Sequence, residues 1–464
     1  MRTLPLFPAL LALSCGAPMV FDPPADGGRD AGGTAFDAGT DGGNALDAGN
    51  AFDAGASLDA GEAFDAGNGL DAGTEDAGNA LDAGAEDAGA LSGDAGTVAW
   101  RFVPLAGTKC AAGAQSGMGY APGASDELVL FVQGGGACWN NGTCRPSLFQ
   151  WGPVCGYGNG VCLWYAAGGT QPLAAFVSHP NPFPADGGGA FPSELATVKN
   201  SLLFQRRDEN PLRNASYVFV PYCTGDLHAG DSTATYQVKA DLFAAPVSVT
   251  HHFHGAQNMN AILTDLRARH PVLRVVWLIG VSGGGYGAQL NLHRVRAAFP
   301  EAEVHLLADS APMVATPNWR AWNTAWNPQL PPGCTDCADA GLPSVLATQL
   351  AAAPSSSRIG LLAFQEDAVI TRFFYAAPDP GSWASPPFGA YTTNLRAVEA
   401  QYEASSRTRY FELPGQDHVM LFGYGMAQPD GGLSRTVVAR DGGVTLRAWV
   451  DAWANGDAGW DNVR

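Results

Sequence analysis

Three residues in this sequence have the types and the chain order needed to attack an acyl carbon: Ser282, Asp367 and His418. Ser282 is the centre of Gly280-Val281-Ser282-Gly283-Gly284, a G-x-S-x-G pattern. In a chain with 59 glycines such a pattern arises readily by chance, so its surroundings decide its meaning. Upstream, Val275-Val276-Trp277-Leu278-Ile279 is the apolar run of a strand buried on both faces. Downstream, residues 288–295 continue with helical spacing. Strand, tight turn and helix are the setting of a nucleophile elbow. There the serine is held in a strained conformation, and glycine neighbours let strand and helix approach. The alternative is a glycine-rich turn or an anion-binding loop at a helix N-terminus.

A serine nucleophile needs a base, and the base needs an acid to orient it. His418 lies just past the strand-like run Arg409-Tyr410-Phe411-Glu412-Leu413, and Asp367 just past Ile359-Gly360-Leu361-Leu362-Ala363-Phe364. Asp309, which ends another such run, and Glu366 are rival acids. Asp367 is preferred because the acid usually follows the strand before the histidine's own. Serine, acid, histidine is the order of α/β-hydrolases. His251, His252 and His254 precede Ser282 and break that order; packing is the favoured reading of that group over a metal site. His228 with Asp231 reads as a loop hydrogen bond. For the oxyanion, Gly283 N–H stands next to the nucleophile. A second donor is expected from Gly135 or Gly136, where the run Leu128–Val132 ends in Gln133-Gly134-Gly135-Gly136. This chemistry calls for no cofactor and no metal.

The elements around these residues alternate strand and helix, which predicts an α/β fold with a mostly parallel sheet flanked by helices. Helices are expected over residues 258–269 and 444–454. Trp139, Trp319, Trp322 and Trp326 fall in loops near the expected site, where packing is the favoured reading over a carbohydrate platform.

The catalytic domain is expected at 98–464. Residues 22–97 repeat Phe/Leu-Asp-Ala-Gly units, with an aspartate every six residues from Asp41 to Asp71. Too few large apolar groups are present to offset chain entropy, so this stretch reads as a disordered linker in preference to a calcium-binding roll. It carries 14 Asp, 3 Glu and one Arg, a net −16, which leaves −4 for residues 97–464 once Arg2 is counted within the overall −19. The acidity therefore belongs to the linker, and nothing is basic enough for nucleic acid. Residues 1–21, with Arg2, an apolar run from Leu4 to Leu13 and Ala12-Leu13-Ser14-Cys15, read as an export segment of bacterial lipoprotein type lipidated on Cys15. A lipid anchor is the expected membrane contact, and the location expected is extracellular or cell-surface. The other eight cysteines form an even set, which in an exported chain implies disulfides over zinc at Cys334-x-x-Cys337.

Gln133-Gly134-Gly135-Gly136-Ala137-Cys138-Trp139-Asn140, Tyr222-Cys223-Thr224-Gly225-Asp226 and Gly280-Val281-Ser282-Gly283-Gly284-Gly285 together resemble the pectin acetylesterase family, which includes the animal carboxylesterase Notum. The resemblance runs from about Cys110 to the C-terminus and implies an α/β-hydrolase fold. It places the family's triad on Ser282, Asp367 and His418. It implies the disulfides Cys138–Cys144 and Cys110–Cys223, with Cys155–Cys162 and Cys334–Cys337 left as local pairs. Glycines follow Ser282 where plant members carry Ser-Ala, and Ala137 stands where they have tryptophan. Both changes alter the pocket wall, so the chemistry carries over better than the pectin substrate. The implied activity is an exported, monomeric O-acetyl esterase acting on an acylated small molecule or polysaccharide. A longer-chain deacylase and a non-catalytic carbohydrate-binding protein are the alternatives.

Overall fold

Apolar runs that can be buried on both faces become the central strands of the protein. The computed structural model describes residues 98–111, 113–140, 144, 198, 201–238, 247–375, 388–421 and 443–464. The export segment with Cys15, the repeat linker and the Cys155–Cys162 pair lie outside the described residues. In chain order the strands and helices are β1 (Arg101–Pro104), β2 (Gly117–Ala121), β3 (Glu127–Val132), β4 (Ser216–Val220), β5 (Ser232–Val238), β6 (Val247–Phe253), α1 (Gly255–Arg269), β7 (Val275–Val281) and α2 (Gly283–Ala298). There follow β8 (Glu303–Asp309), α3 (Trp319–Trp326), α4 (Cys337–Ala340), α5 (Leu342–Ala351), β9 (Ile359–Phe364), α6 (Ala368–Tyr375), α7 (Phe388–Glu403), β10 (Thr408–Leu413) and α8 (Leu446–Asn455).

The main sheet has the order β1-β2-β4-β3-β7-β8-β9-β10. From β4 to β10 every neighbouring pair is parallel, whereas β2 runs antiparallel to both β1 and β4. This is an α/β-hydrolase-type fold, a mostly parallel sheet flanked by helices. Two parts of it escaped the sequence reading: the β1–β2 edge, and the separate antiparallel pair β5–β6. β1 and β2 are short, and β5 and β6 are rich in polar residues, so neither pair shows the apolar run of the central strands.

The pleat explains the layers. On β3, Leu128, Leu130 and Val132 face one core, which also holds Met259 and Ile262 of α1 and Leu290 and Val295 of α2. Val129 and Phe131 face the other, with Trp449 and Trp453 of α8. Burying each such side chain contributes roughly 1.5–3 kcal/mol, so the sheet is fixed from both faces. Register then aligns the strand ends: Val132 pairs with Gly280, Gly280 with Ala308, and Phe364 with Leu413. Whatever follows those residues emerges on the same C-terminal edge of the sheet.

Disulfides join Cys110 to Cys223, Cys138 to Cys144 and Cys334 to Cys337. The first spans 113 residues and ties the approach to β2 to the loop after β4.

Glu399 of α7 and Glu412 of β10 are buried side by side, and Arg396 and Arg464 each bond both of them. Burial, only partly offset by Arg396, pushes the Glu399 carboxyl from its ordinary 4.5 up to about 7. The folded state thus holds this proton more tightly than the unfolded chain. Its contribution to stability is fully present below about pH 4.5 and declines as pH rises to about 7. Urea unfolding midpoints at pH 5 and pH 7.5 should show this decline in the wild type, and Glu399→Gln should flatten it. An unchanged slope in the variant would assign the effect elsewhere.

Candidate active site

Ser282 stands at the junction of β7 and α2 with φ 52° and ψ −127°. A non-glycine residue is rarely found there, and the conformation persists only where surroundings enforce it. Two backbone bonds do so: Ser282 N–H donates to Asp309 C=O at 2.8 Å, and Tyr286 N–H donates to Ser282 C=O at 3.1 Å. The hydroxyl is thereby raised off the sheet edge toward His418, whose Nε2 lies 2.8 Å from Ser282 Oγ. On the other side of the ring, His418 Nδ1 lies 2.7 Å from Asp367 Oδ2. A carboxylate can only accept, so Nδ1 carries the proton and Nε2 is left to accept from the serine. All three side chains are buried.

Asp367 is itself fixed. Its Oδ1 accepts from Val369 N–H at 3.0 Å and from Ile370 N–H at 2.9 Å, capping the start of α6. Its rivals are engaged elsewhere. Glu366 is exposed and accepts from Gln416 Nε2 at 3.2 Å. Asp309 is buried at the end of β8, where its carboxylate accepts from Met420 N–H and Leu421 N–H, both at 2.7 Å. Burial pushes its carboxyl up to about 6 despite those two bonds.

The glycine loop after β3 lies against the elbow. A Cβ added to Gly283 would sit 2.6 Å from Gly135 O and 3.3 Å from Gly135 N. Gly135 is therefore the loop glycine whose backbone abuts the residue after Ser282, and Gly136 follows it, buried. Gly283 N–H belongs to the first turn of α2, where amides have no partner inside the helix.

His228 bears on this loop in a way the sequence reading missed. Its partner is the carbonyl of Gln133, 2.9 Å from Nε2, rather than Asp231, which accepts from Gln257 instead. Burial lowers its pKa to about 4, so the ring is neutral and donates its Nε2–H. The ring stacks on Tyr222, with centroids 4.5 Å apart. Asp226 accepts from His228 N–H, Thr224 Oγ1 and Gly255 N–H, and so holds that loop in turn. The Tyr222–Asp226 motif was the visible signal; its service to Gln133, far away in the chain, was not.

The other histidines separate. His251 reaches Thr224 C=O, His252 Thr233 Oγ1, and His254 Gly107 C=O. His251 does lie near Cys138 and Cys144, but those sulfurs are bonded to each other. Trp319, Trp322 and Trp326 lie on α3 rather than in loops, and with Trp139 they pack inward instead of forming a platform. Trp139, Trp319, Trp322 and Trp326 are all buried; Trp322 stacks on Trp326, and Trp326 Nε1–H donates to Cys138 C=O.

The pectinacetylesterase family model matches residues 193–325, the stretch that contains the 222–226 loop and the elbow. Over that stretch the chain is similar to the pectinacetylesterase family and to Notum carboxylesterases. It is 31% identical over 116 residues to human palmitoleoyl-protein carboxylesterase NOTUM, a match covering 24% of this chain and 21% of that protein. Against palmitoleoyl-protein carboxylesterase notum2 of Xenopus laevis it is 33% identical over 102 residues, 22% of this chain and 18% of the relative. The matched stretch thus spans about a fifth of the length of these curated relatives. Among solved structures, two crystal forms of the Wnt deacylase Notum from Drosophila match. Form I has a TM-score of 0.49 at 16% identity, covering 78% of this chain and 94% of that one. Form II has a TM-score of 0.48 at 17% identity, covering 77% and 93%.

Proposed function

We propose that this protein belongs to the pectinacetylesterase family and is an exported serine carboxylic ester hydrolase that releases an acyl group, acetyl first among them, from a small molecule or polysaccharide. The observation that carries this reading is the continuous hydrogen-bonded line from Ser282 Oγ through the His418 ring to Asp367. Ser282 Oγ attacks the acyl carbon while His418 Nε2 takes its proton, and Asp367 steadies the imidazolium. Gly283 N–H and Gly135 N–H serve the oxyanion. The intermediate expels the alcohol, which takes the proton from His418 and leaves an acyl-serine. Water then attacks the ester, giving its proton to His418; the second intermediate releases the acid and restores Ser282. Three disulfides support export to an oxidising compartment. In the same reading residues 98–464 are the catalytic domain and 22–97 a spacer, with 1–21 the export segment lipidated at Cys15.

A longer-chain deacylase is the second reading, favoured by the stretch similar to palmitoleoyl-protein carboxylesterases. Purified full-length chain, assayed on p-nitrophenyl esters of increasing acyl length, separates the two. Hydrolysis greatest at acetate supports the acetylesterase, and hydrolysis rising with chain length moves the assignment to the deacylase. No turnover on any ester sinks both.

A further inference from the structure

The loop that follows His418 carries a conformation it would not choose. Val419 has φ 65°, and a β-branched residue persists in this strained left-handed region only where neighbours over-determine it. The neighbours are two consecutive residues at the end of β8. Val419 N–H donates to Ser310 Oγ at 2.8 Å; Met420 N–H and Leu421 N–H both donate to Asp309 Oδ2 at 2.7 Å. Ser310 Oγ–H in turn donates to Asp309 Oδ1 at 3.1 Å. Three successive amides thus form a small nest that one dipeptide fills. Ser310 is itself left-handed, at φ 52°, with its N–H bonded to Leu362 C=O on β9.

The same dipeptide holds the nucleophile. Asp309 C=O accepts from Ser282 N–H, while the Asp309 carboxylate accepts from the loop that begins at His418. One residue therefore grips the serine through its backbone and the histidine's loop through its side chain. We propose that Asp309, with Ser310, is a positioning residue that sets the meeting of Ser282 Oγ and His418 Nε2. The acid that a sequence reading weighs against Asp367 for the triad thereby acquires a separate task. This rests on the serine-hydrolase reading above.

The arrangement makes the two functional groups of Asp309 separable by mutation. Asp309→Ala keeps the backbone bond to Ser282 and removes the oxygen that accepts from both amides. Asp309→Asn keeps an oxygen that can accept from Met420 and Leu421. Ser310→Ala frees Val419 alone. In full-length protein, Asp309→Ala should lower kcat on p-nitrophenyl acetate by about 100-fold with KM nearly unchanged, since a misplacement of about 1 Å costs that much. Ser310→Ala should lose about tenfold, in proportion to the single bond removed, and Asp309→Asn should recover most of the activity. The low-field proton resonance of His418 Nδ1–H, strong in the wild type, should broaden or vanish in Asp309→Ala and return in Asp309→Asn.

Asp309→Ala with wild-type kcat and an undisturbed resonance overturns the proposal. So does a kcat loss that merely follows the fraction folded, read by circular dichroism on the same samples. Should Asp309→Ala not fold, Ser310→Ala and Asp309→Asn still decide: equal kcat in wild type and Ser310→Ala, or no recovery in a folded Asp309→Asn, ends it. A wild type that turns over no ester overturns the esterase reading instead, and the resonance still reports whether Asp309 positions His418.

Discussion

Asp367→Asn lowers kcat for ester hydrolysis by about 10⁴-fold, the loss expected when the base is held in the wrong tautomer. The structure supplies the reason the tautomer must change. Two amides, Val369 N–H and Ile370 N–H, converge on Asp367 Oδ1. An asparagine there must present its oxygen to those donors, because its NH₂ has nothing to offer them. The NH₂ is then turned toward His418 Nδ1, which becomes an acceptor and forces the proton onto Nε2. A protonated Nε2 cannot take the Ser282 proton. Ser282→Ala removes the hydroxyl outright and should cost about 10⁶-fold. Because the residues act as one unit, the double variant should be no worse than Ser282→Ala alone. Steady-state kinetics on p-nitrophenyl acetate measure all three, and mass spectrometry should find an acyl adduct on Ser282 in the wild type and none on Ser282→Ala. Asp367→Asn within tenfold of wild type would move the acid's role away from Asp367.

How much of this could be read from the sequence follows from the range of each interaction. The parallel sheet was legible because β3, β7, β8 and β9 are short apolar runs that end in turn residues, a local signal. The elbow was legible for the same reason: its strand, turn and helix are contiguous. Asp367 and His418 could be nominated because each follows a strand, and a parallel sheet brings strand ends to one edge. The hydrogen bonds that align them needed coordinates. What was lost is what depends on contacts distant in sequence between irregular segments. His228 serves a carbonyl 95 residues away, and Asp309 serves amides 111 and 112 residues away. Neither polar residue differs in type from an ordinary loop residue, so only the fold reveals its partners. For the tryptophans, packing is the favoured reading and the outcome. What the sequence did not show is that Trp319, Trp322 and Trp326 lie on a helix, α3, which turns them inward, where their large apolar area is worth most.

The elbow's intolerance of any added atom gives the other large effect. Gly284→Ala should destabilise the protein by about 3 kcal/mol, the upper end for overpacking, and reduce kcat by about 100-fold as well. A Cβ on Gly284 would lie 2.1 Å from Val132 O and 2.5 Å from both Gln133 C and Gln133 O. All three are backbone atoms at the end of β3, so no side chain can rotate out of the way. Either α2 must move off the sheet or Gln133 must move off α2. The second response carries Gly135 with it, away from Gly283, so stability and oxyanion geometry fail together. Gly389, near the start of α7, is the control. Nothing lies within 4 Å of a Cβ there, and Gly389→Ala should stabilise the helix by about 0.5–1 kcal/mol through a less flexible unfolded chain. Urea unfolding of both variants, with kcat measured on the folded fraction, tests the argument. A Gly284→Ala protein as stable and as active as wild type would mean that strand, turn and helix are not packed backbone to backbone at the nucleophile, and the elbow would lose its physical basis.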